Sequence, residues 1–221
     1  SCETCSEGSY CLVYSSEPIE CSPGFFGSAS GLSACVECAA GEYQPSPNAT
    51  ACVACDAGGW CGAGAAFVTP CEAGSYRSLE GGSHASSCAA CPVGSACLRG
   101  ATSPVNCSQG RYGDAPNQTT AQCVGPCEPG HWCGAGSTSA AATPCSEGSF
   151  NPSQGAGSAG ACQPCSVGTF TAAEGSSACG LCASATFQNA SGATGCSGCA
   201  ACEEGFYEAV PCTGFTDSTC L

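Results

Sequence analysis

One recurring string, Cys-x-x-Gly-x-aromatic, governs this sequence from end to end. It reads Cys5/Gly8/Tyr10, Cys21/Gly24/Phe26, Cys38/Gly41/Tyr43, Cys55/Gly58/Trp60 and Cys71/Gly74/Tyr76. It continues as Cys107/Gly110/Tyr112, Cys127/Gly130/Trp132, Cys145/Gly148/Phe150, Cys165/Gly168/Phe170 and Cys202/Gly205/Tyr207. Two copies are degenerate: Cys91/Gly94 carries Ala96 at the aromatic place, and Cys182 has Ala185 for glycine before Phe187. Eleven of the 16 aromatic residues therefore occupy one repeating position. Self-similarity of this kind marks a repeat architecture, in which each unit contacts mainly its neighbours. Glycine accepts a positive-φ turn after the cysteine, and the aromatic two residues on is placed to cover the next disulfide.

Composition explains why the repeat must be cross-linked. Cysteine supplies 27 of 221 residues, above the roughly 8–10% that marks a disulfide scaffold. Leu, Ile, Val and Phe together number only 24. At about 1.5–3 kcal/mol per buried large apolar side chain, these cannot offset the backbone entropy of such a chain. The expected fold class is therefore small and disulfide-rich: an elongated tandem array of short β-hairpin cysteine-rich repeats, with almost no helix and no single hydrophobic core. Most enzyme folds are excluded by the same arithmetic.

Long and short arms alternate. Long arms run 14 to 17 positions between cysteines, as from Cys21 to Cys35 or Cys71 to Cys88. They read as two extended segments joined by a polar turn such as Gln44-Pro45-Ser46-Pro47-Asn48. Short arms insert a cysteine six positions on, as in Cys5/Cys11, Cys55/Cys61, Cys91/Cys97 and Cys127/Cys133. Cysteine number alone does not fix connectivity. On the supposition that each arm closes on itself, the bridges are Cys5–Cys11, Cys21–Cys35, Cys38–Cys52, Cys55–Cys61, Cys71–Cys88 and Cys91–Cys97. They continue as Cys107–Cys123, Cys127–Cys133, Cys145–Cys162, Cys165–Cys179 and Cys182–Cys196, with Cys199–Cys212 and Cys202–Cys220 crossing at the end. Cys2 is left over. It is what a chain cut from a longer array would leave, or it bridges to a neighbouring subunit.

Charge narrows the partners. There are 17 acidic residues against Arg77, Arg99 and Arg111, no lysine, and a formal net charge of −14. Nucleic-acid binding and attraction to anionic lipid both need clustered cations, and direct membrane insertion needs about 18–20 consecutive apolar residues. None of these is present. Cofactors are not expected. Only His84 and His131 could join cysteines around zinc, and neither has finger spacing, so disulfides are favoured over metal. The trio Glu203, Glu204 and Glu208 lacks an Asp-x-Asp/Asn calcium loop and reads as a solvated acidic face, and the two histidines read as solvated surface residues. No catalytic constellation emerges: nearly every cysteine is assigned to a bridge, leaving no free thiolate beside a base.

Four of the five asparagines head N-glycosylation acceptors: Asn48-Ala49-Thr50, Asn106-Cys107-Ser108, Asn117-Gln118-Thr119 and Asn189-Ala190-Ser191. Asn151 is followed by Pro152 and is disqualified. These acceptors place the chain outside the cell, secreted or at the surface, with covalently attached glycans. Asn48 and Asn117 each lie ten positions after an opening cysteine; Asn106 is compromised by the bridged Cys107.

The chain resembles the ephrin-receptor-like cysteine-rich repeats, relatives of growth-factor-receptor, EGF-like and tumour-necrosis-factor-receptor modules. The likeness is strongest from Cys21-Ser22-Pro23-Gly24-Phe25-Phe26 through Cys35-Val36-Glu37-Cys38. The end, Cys202-Glu203-Glu204-Gly205-Phe206-Tyr207 through Cys212 to Asp217-Ser218-Thr219-Cys220, is closer to the tumour-necrosis-factor-receptor type. The resemblance implies tandem repeats over 1–198, a receptor-type module over 199–221, and a disulfide-laddered rod outside a cell. It implies no single activity. Two functions follow: a structural glycoprotein that self-associates into a fibre, surface appendage or matrix, or a receptor or adhesion ectodomain binding a protein ligand. Few aromatic or arginine residues stand outside the repeat framework as hot-spot candidates. They are Tyr14, Phe25, Phe67, Phe206, Phe215 and the three arginines. Their scarcity favours the fibre as the first expectation.

Overall fold

A computed structural model describes residues 5–14 and 17–221; Cys2 lies outside them. Among the described residues the chain forms twelve two-stranded antiparallel hairpins and two single-turn 3-10 segments, Ala85–Ser87 and Ala159–Ala161. Each hairpin joins consecutive strands, so every pairing is local. Strand β1 (Ser9–Tyr10) pairs with β2 (Ile19–Glu20), β3 (Phe25–Phe26) with β4 (Val36–Glu37), and β5 (Glu42–Tyr43) with β6 (Val53–Ala54). The rule is constant until the end: the strand carrying the repeating aromatic pairs with the two residues before the next opening cysteine. In the last hairpin the first strand, Glu208–Val210, starts one residue after Tyr207, and its register with Thr219–Cys220 shifts at a bulge.

Thirteen disulfides hold the hairpins. Eleven close an arm on itself across 6 or 14 to 17 positions. The last two, Cys199–Cys212 and Cys202–Cys220, cross. The largest fully buried side chains are all cysteine, from Cys21 to Cys165. The repeating aromatics are half buried, and Tyr207 is exposed. Sulfur, rather than aromatic or aliphatic carbon, makes up the interior. From Cys182 onward every cysteine is only half buried.

The chain divides into two compact units, residues 1–105 with 116–121, and residues 106–115 with 122–221. Within each unit the backbone follows one rule. The residue at the tip of an arm donates its N–H to the carbonyl of the opening cysteine one arm earlier. In the first unit Gly64 donates to Cys38 and Gly81 to Cys55; in the second Gly155 donates to Cys127 and Gly175 to Cys145. The tip carbonyl then faces the repeating glycine two arms earlier. A Cβ on Gly41, whose φ is +96°, would stand 2.9 Å from the Gly81 carbonyl oxygen. Contacts thus reach second neighbours, whereas the sequence suggested mainly adjacent ones. The spacing cannot show this, because the contact depends on how successive hairpins rotate, which no residue pattern records.

Candidate ligand-binding surface

Among the described residues, one group of candidate metal ligands comes together. Cys199, Cys212 and Asp217 lie close enough to hold an ion, but the two sulfurs are bonded to each other and offer no thiolate. Asp217 Oδ1 already accepts the N–H groups of Ala200 at 2.7 Å and Ser218 at 2.8 Å. Glu203, Glu204 and Glu208 are exposed, and Glu208 Oε1 accepts from the Cys212 N–H at 3.3 Å. His84 is exposed. His131 differs from the solvated residue expected. It is half buried, its Nδ1 lies 3.2 Å from the Pro129 carbonyl oxygen, and its ring lies against Gly175. The tip two arms on covers this position, as it does the neighbouring Gly130.

The arginines mostly brace their own arms. Arg77 Nη1 donates to the Ser87 carbonyl at 3.1 Å and Nη2 to that of Glu80 at 3.0 Å. They flank a depression of about 170 Å³ lined by Tyr76, Arg77, Ser78, Leu79, Ser87 and Ala89, smaller than the roughly 300–1,000 Å³ of small-molecule sites. Arg111 Nε donates to the Gln122 carbonyl. Arg99 stands 4.0 Å from Glu72, both exposed, a pairing worth at most about 1 kcal/mol.

The acceptor asparagines separate cleanly from the disqualified one. Asn48, Asn106, Asn117 and Asn189 are exposed. Asn151 is 2% exposed. Its Nδ2 donates to the carbonyls of His131 and Ser153, and its Oδ1 accepts the Ser153 N–H.

Large apolar side chains, by contrast, are left in water all along the array, Phe67 at 72% and Leu181 at 79% among them, and two groups of them bear on binding. In the first unit, Leu12, Val13 and Tyr14 are all exposed, Tyr14 at 101%. They stand where the other short arms carry Gly62-Ala63-Gly64, Leu98-Arg99-Gly100 and Gly134-Ala135-Gly136. Tyr14 has φ 72°, a left-handed conformation that is uncommon for a bulky residue. Such strain is concentrated where function retains it.

In the second unit, Phe206, Tyr207 and Phe215 are 59%, 68% and 56% exposed. Tyr207 and Leu221 exchange both backbone hydrogen bonds, which sets these two exposed side chains opposite each other. Phe215 rides on a turn in which Thr213 Oγ1 accepts the N–H groups of Phe215 and Thr216. Sequence reasoning counted Tyr207 among the framework aromatics and so missed it.

Residues 182–220 match the TNFR/NGFR cysteine-rich region. The exposed Phe206, Tyr207 and Phe215 all fall inside that match. It covers the tumour-necrosis-factor-receptor-like end of the chain and gives the ephrin-receptor-like and EGF-like resemblances no support. No curated protein matches the chain. Among the described residues no helix is long and apolar enough to cross a membrane. A disulfide-rich array of this kind is at home outside the cell or at its surface.

Proposed function

We propose that this chain is part of an extracellular receptor or adhesion ectodomain that binds a protein ligand without enzymatic chemistry. The observation that carries the reading is the family match over residues 182–220, which favours binding over the structural fibre first expected. Exposed Phe206, Tyr207 and Phe215 supply the aromatic anchors that protein interfaces use. The fibre reading leaned on a shortage of such anchors; exposed Tyr207 adds one that the sequence had assigned to the framework. Disulfides hold the anchors on short, rigid hairpins, which lowers the entropy lost on binding.

The test is binding of the fluorescently labelled, secreted chain to intact cells of the organism that makes it. Saturable binding that falls at least tenfold with F206S/Y207S/F215S supports the assignment. Equal binding by that variant, with its disulfides intact, overturns the terminal module as the binding site.

A further inference from the structure

We propose that Asn48 and Asn117 carry N-linked oligosaccharides and that Asn106 carries none. Ten arms place a tip residue whose N–H donates to the preceding opening cysteine. Eight of these tips are glycine and two are asparagine, all in the left-handed region, with Asn48 at φ 56° and Asn117 at φ 62°. Asn48 donates its backbone N–H to Cys21 and Asn117 to Cys91, each at 2.9 Å. Their carbonyls face Gly8 and Gly74, and the Asn48 side-chain Oδ1 also lies against Gly8. With both backbone groups turned into the array, the tip presents an exposed asparagine, and Thr50 or Thr119 two residues on is exposed as well.

Asparagine is also the residue other than glycine that best tolerates this conformation. Six of the eight glycine tips have Ser or Thr two residues on, as in Gly100-Ala101-Thr102. The repeat therefore already supplies the hydroxyl, and asparagine at a tip completes an acceptor. Asn106 sits differently. It lies in the strand Val105–Asn106, and Cys107 after it is fully buried and bridged to Cys123. Ser108 is half buried, with its carbonyl accepting the Arg111 N–H. That tripeptide cannot lie in a transferase groove once its bridge has formed.

The donor is an oligosaccharide on a polyprenyl pyrophosphate. The asparagine amide nitrogen attacks the anomeric carbon, and a C–N bond forms as the C–O bond to pyrophosphate breaks. The lipid pyrophosphate leaves, and the amide proton passes to the transferase. The inference requires export through a secretory pathway but no particular ligand.

The experiment is expression of the full 221-residue chain through a eukaryotic secretory pathway. Release with an amidase that cleaves the sugar–asparagine bond in heavy-oxygen water is followed by peptide mass mapping. Asn48 and Asn117 are expected to appear as labelled aspartate, with Asn106 unlabelled. Asn48→Gly and Asn117→Gly keep the residue that eight other tips use, so each should be secreted with no free thiol beyond the parent and lose one oligosaccharide. C107S/C123S leaves an acceptor at Asn106 and should gain a label there. Unlabelled Asn48 and Asn117 in the secreted protein, or a labelled Asn106 in the parent, would overturn the assignment.

Discussion

The backbone carbonyl of Asn117 stands so close to Gly74 that a Cβ on that glycine would lie 2.6 Å from its oxygen. More than two full arms of sequence separate them, and the same approach recurs between Gly110 and Gly155 in the second unit. The repeating glycine therefore has two tasks: it turns the chain at positive φ, and it leaves room for a later arm.

Those two tasks can be separated by mutation. Gly205 has φ +95° and nothing within 4 Å of a built Cβ, whereas Gly74 has φ +89° and the Asn117 carbonyl on top of it. Gly205→Ala should cost about 1–2 kcal/mol for the left-handed backbone alone. Gly74→Ala should cost about 3 kcal/mol or more, since backbone must also move. Thermal denaturation of the disulfide-intact variants gives the comparison, and equal losses would contradict the stacking contact.

Bridge removal should scale with the loop closed. Cys71–Cys88 spans 17 positions and Cys55–Cys61 spans 6. Loop entropy puts their removal at about 3 and about 2 kcal/mol respectively. Denaturant unfolding of C71S/C88S and C55S/C61S should show that order. The reverse order would mean that the short bridge's buried sulfurs matter more than chain entropy.

Tyr43 provides a pH signature. Its hydroxyl donates to Asp56 Oδ2 at 3.1 Å. This hydrogen bond, with smaller effects of burial and the nearby carboxylate charge, raises Tyr43 above the ordinary tyrosine value of 10.0. A raised value favours the fold below pH 10.0, and that contribution fades as pH climbs through the folded value. Ultraviolet titration should show Tyr43 ionising earlier in Asp56→Ala than in the parent protein. Identical titration curves for the two proteins would rule the contact out.

Tyr14 occupies a left-handed tip position where the other short arms use Gly64, Gly100 and Gly136. Tyr14→Gly should raise stability by about 1 kcal/mol, since it relieves backbone strain and removes no buried contact. A lower melting temperature would show that the ring is packed after all.

Much of this fold is legible in the residues because it is local. Cysteine spacing sets arm lengths, and Gly-x-aromatic sets where a turn gives way to a strand. A shortage of aliphatic residues leaves no helix or common core to compete. What escapes is whatever depends on rotation between hairpins. The seat of Gly74 under Asn117 and the shelter given to His131 arise two arms apart, with no trace in spacing. Tyr207 escapes for a related reason. It occupies the framework position, yet no later arm covers it among the described residues, so a structural ring becomes surface. The tumour-necrosis-factor-receptor likeness is legible in the Cys202-Glu203-Glu204-Gly205-Phe206-Tyr207 string, but the match reaches back to Cys182 and so takes in a self-closing arm that the sequence assigned to the preceding repeats. The balance between binding and polymerisation is not legible, since it rests on which rings remain in water.

The most direct check on that balance is negative-stain electron microscopy of the purified, unreduced chain at high concentration. A binding ectodomain predicts dispersed single particles with no axial order. Regular filaments with an axial repeat would contradict it and restore the structural fibre.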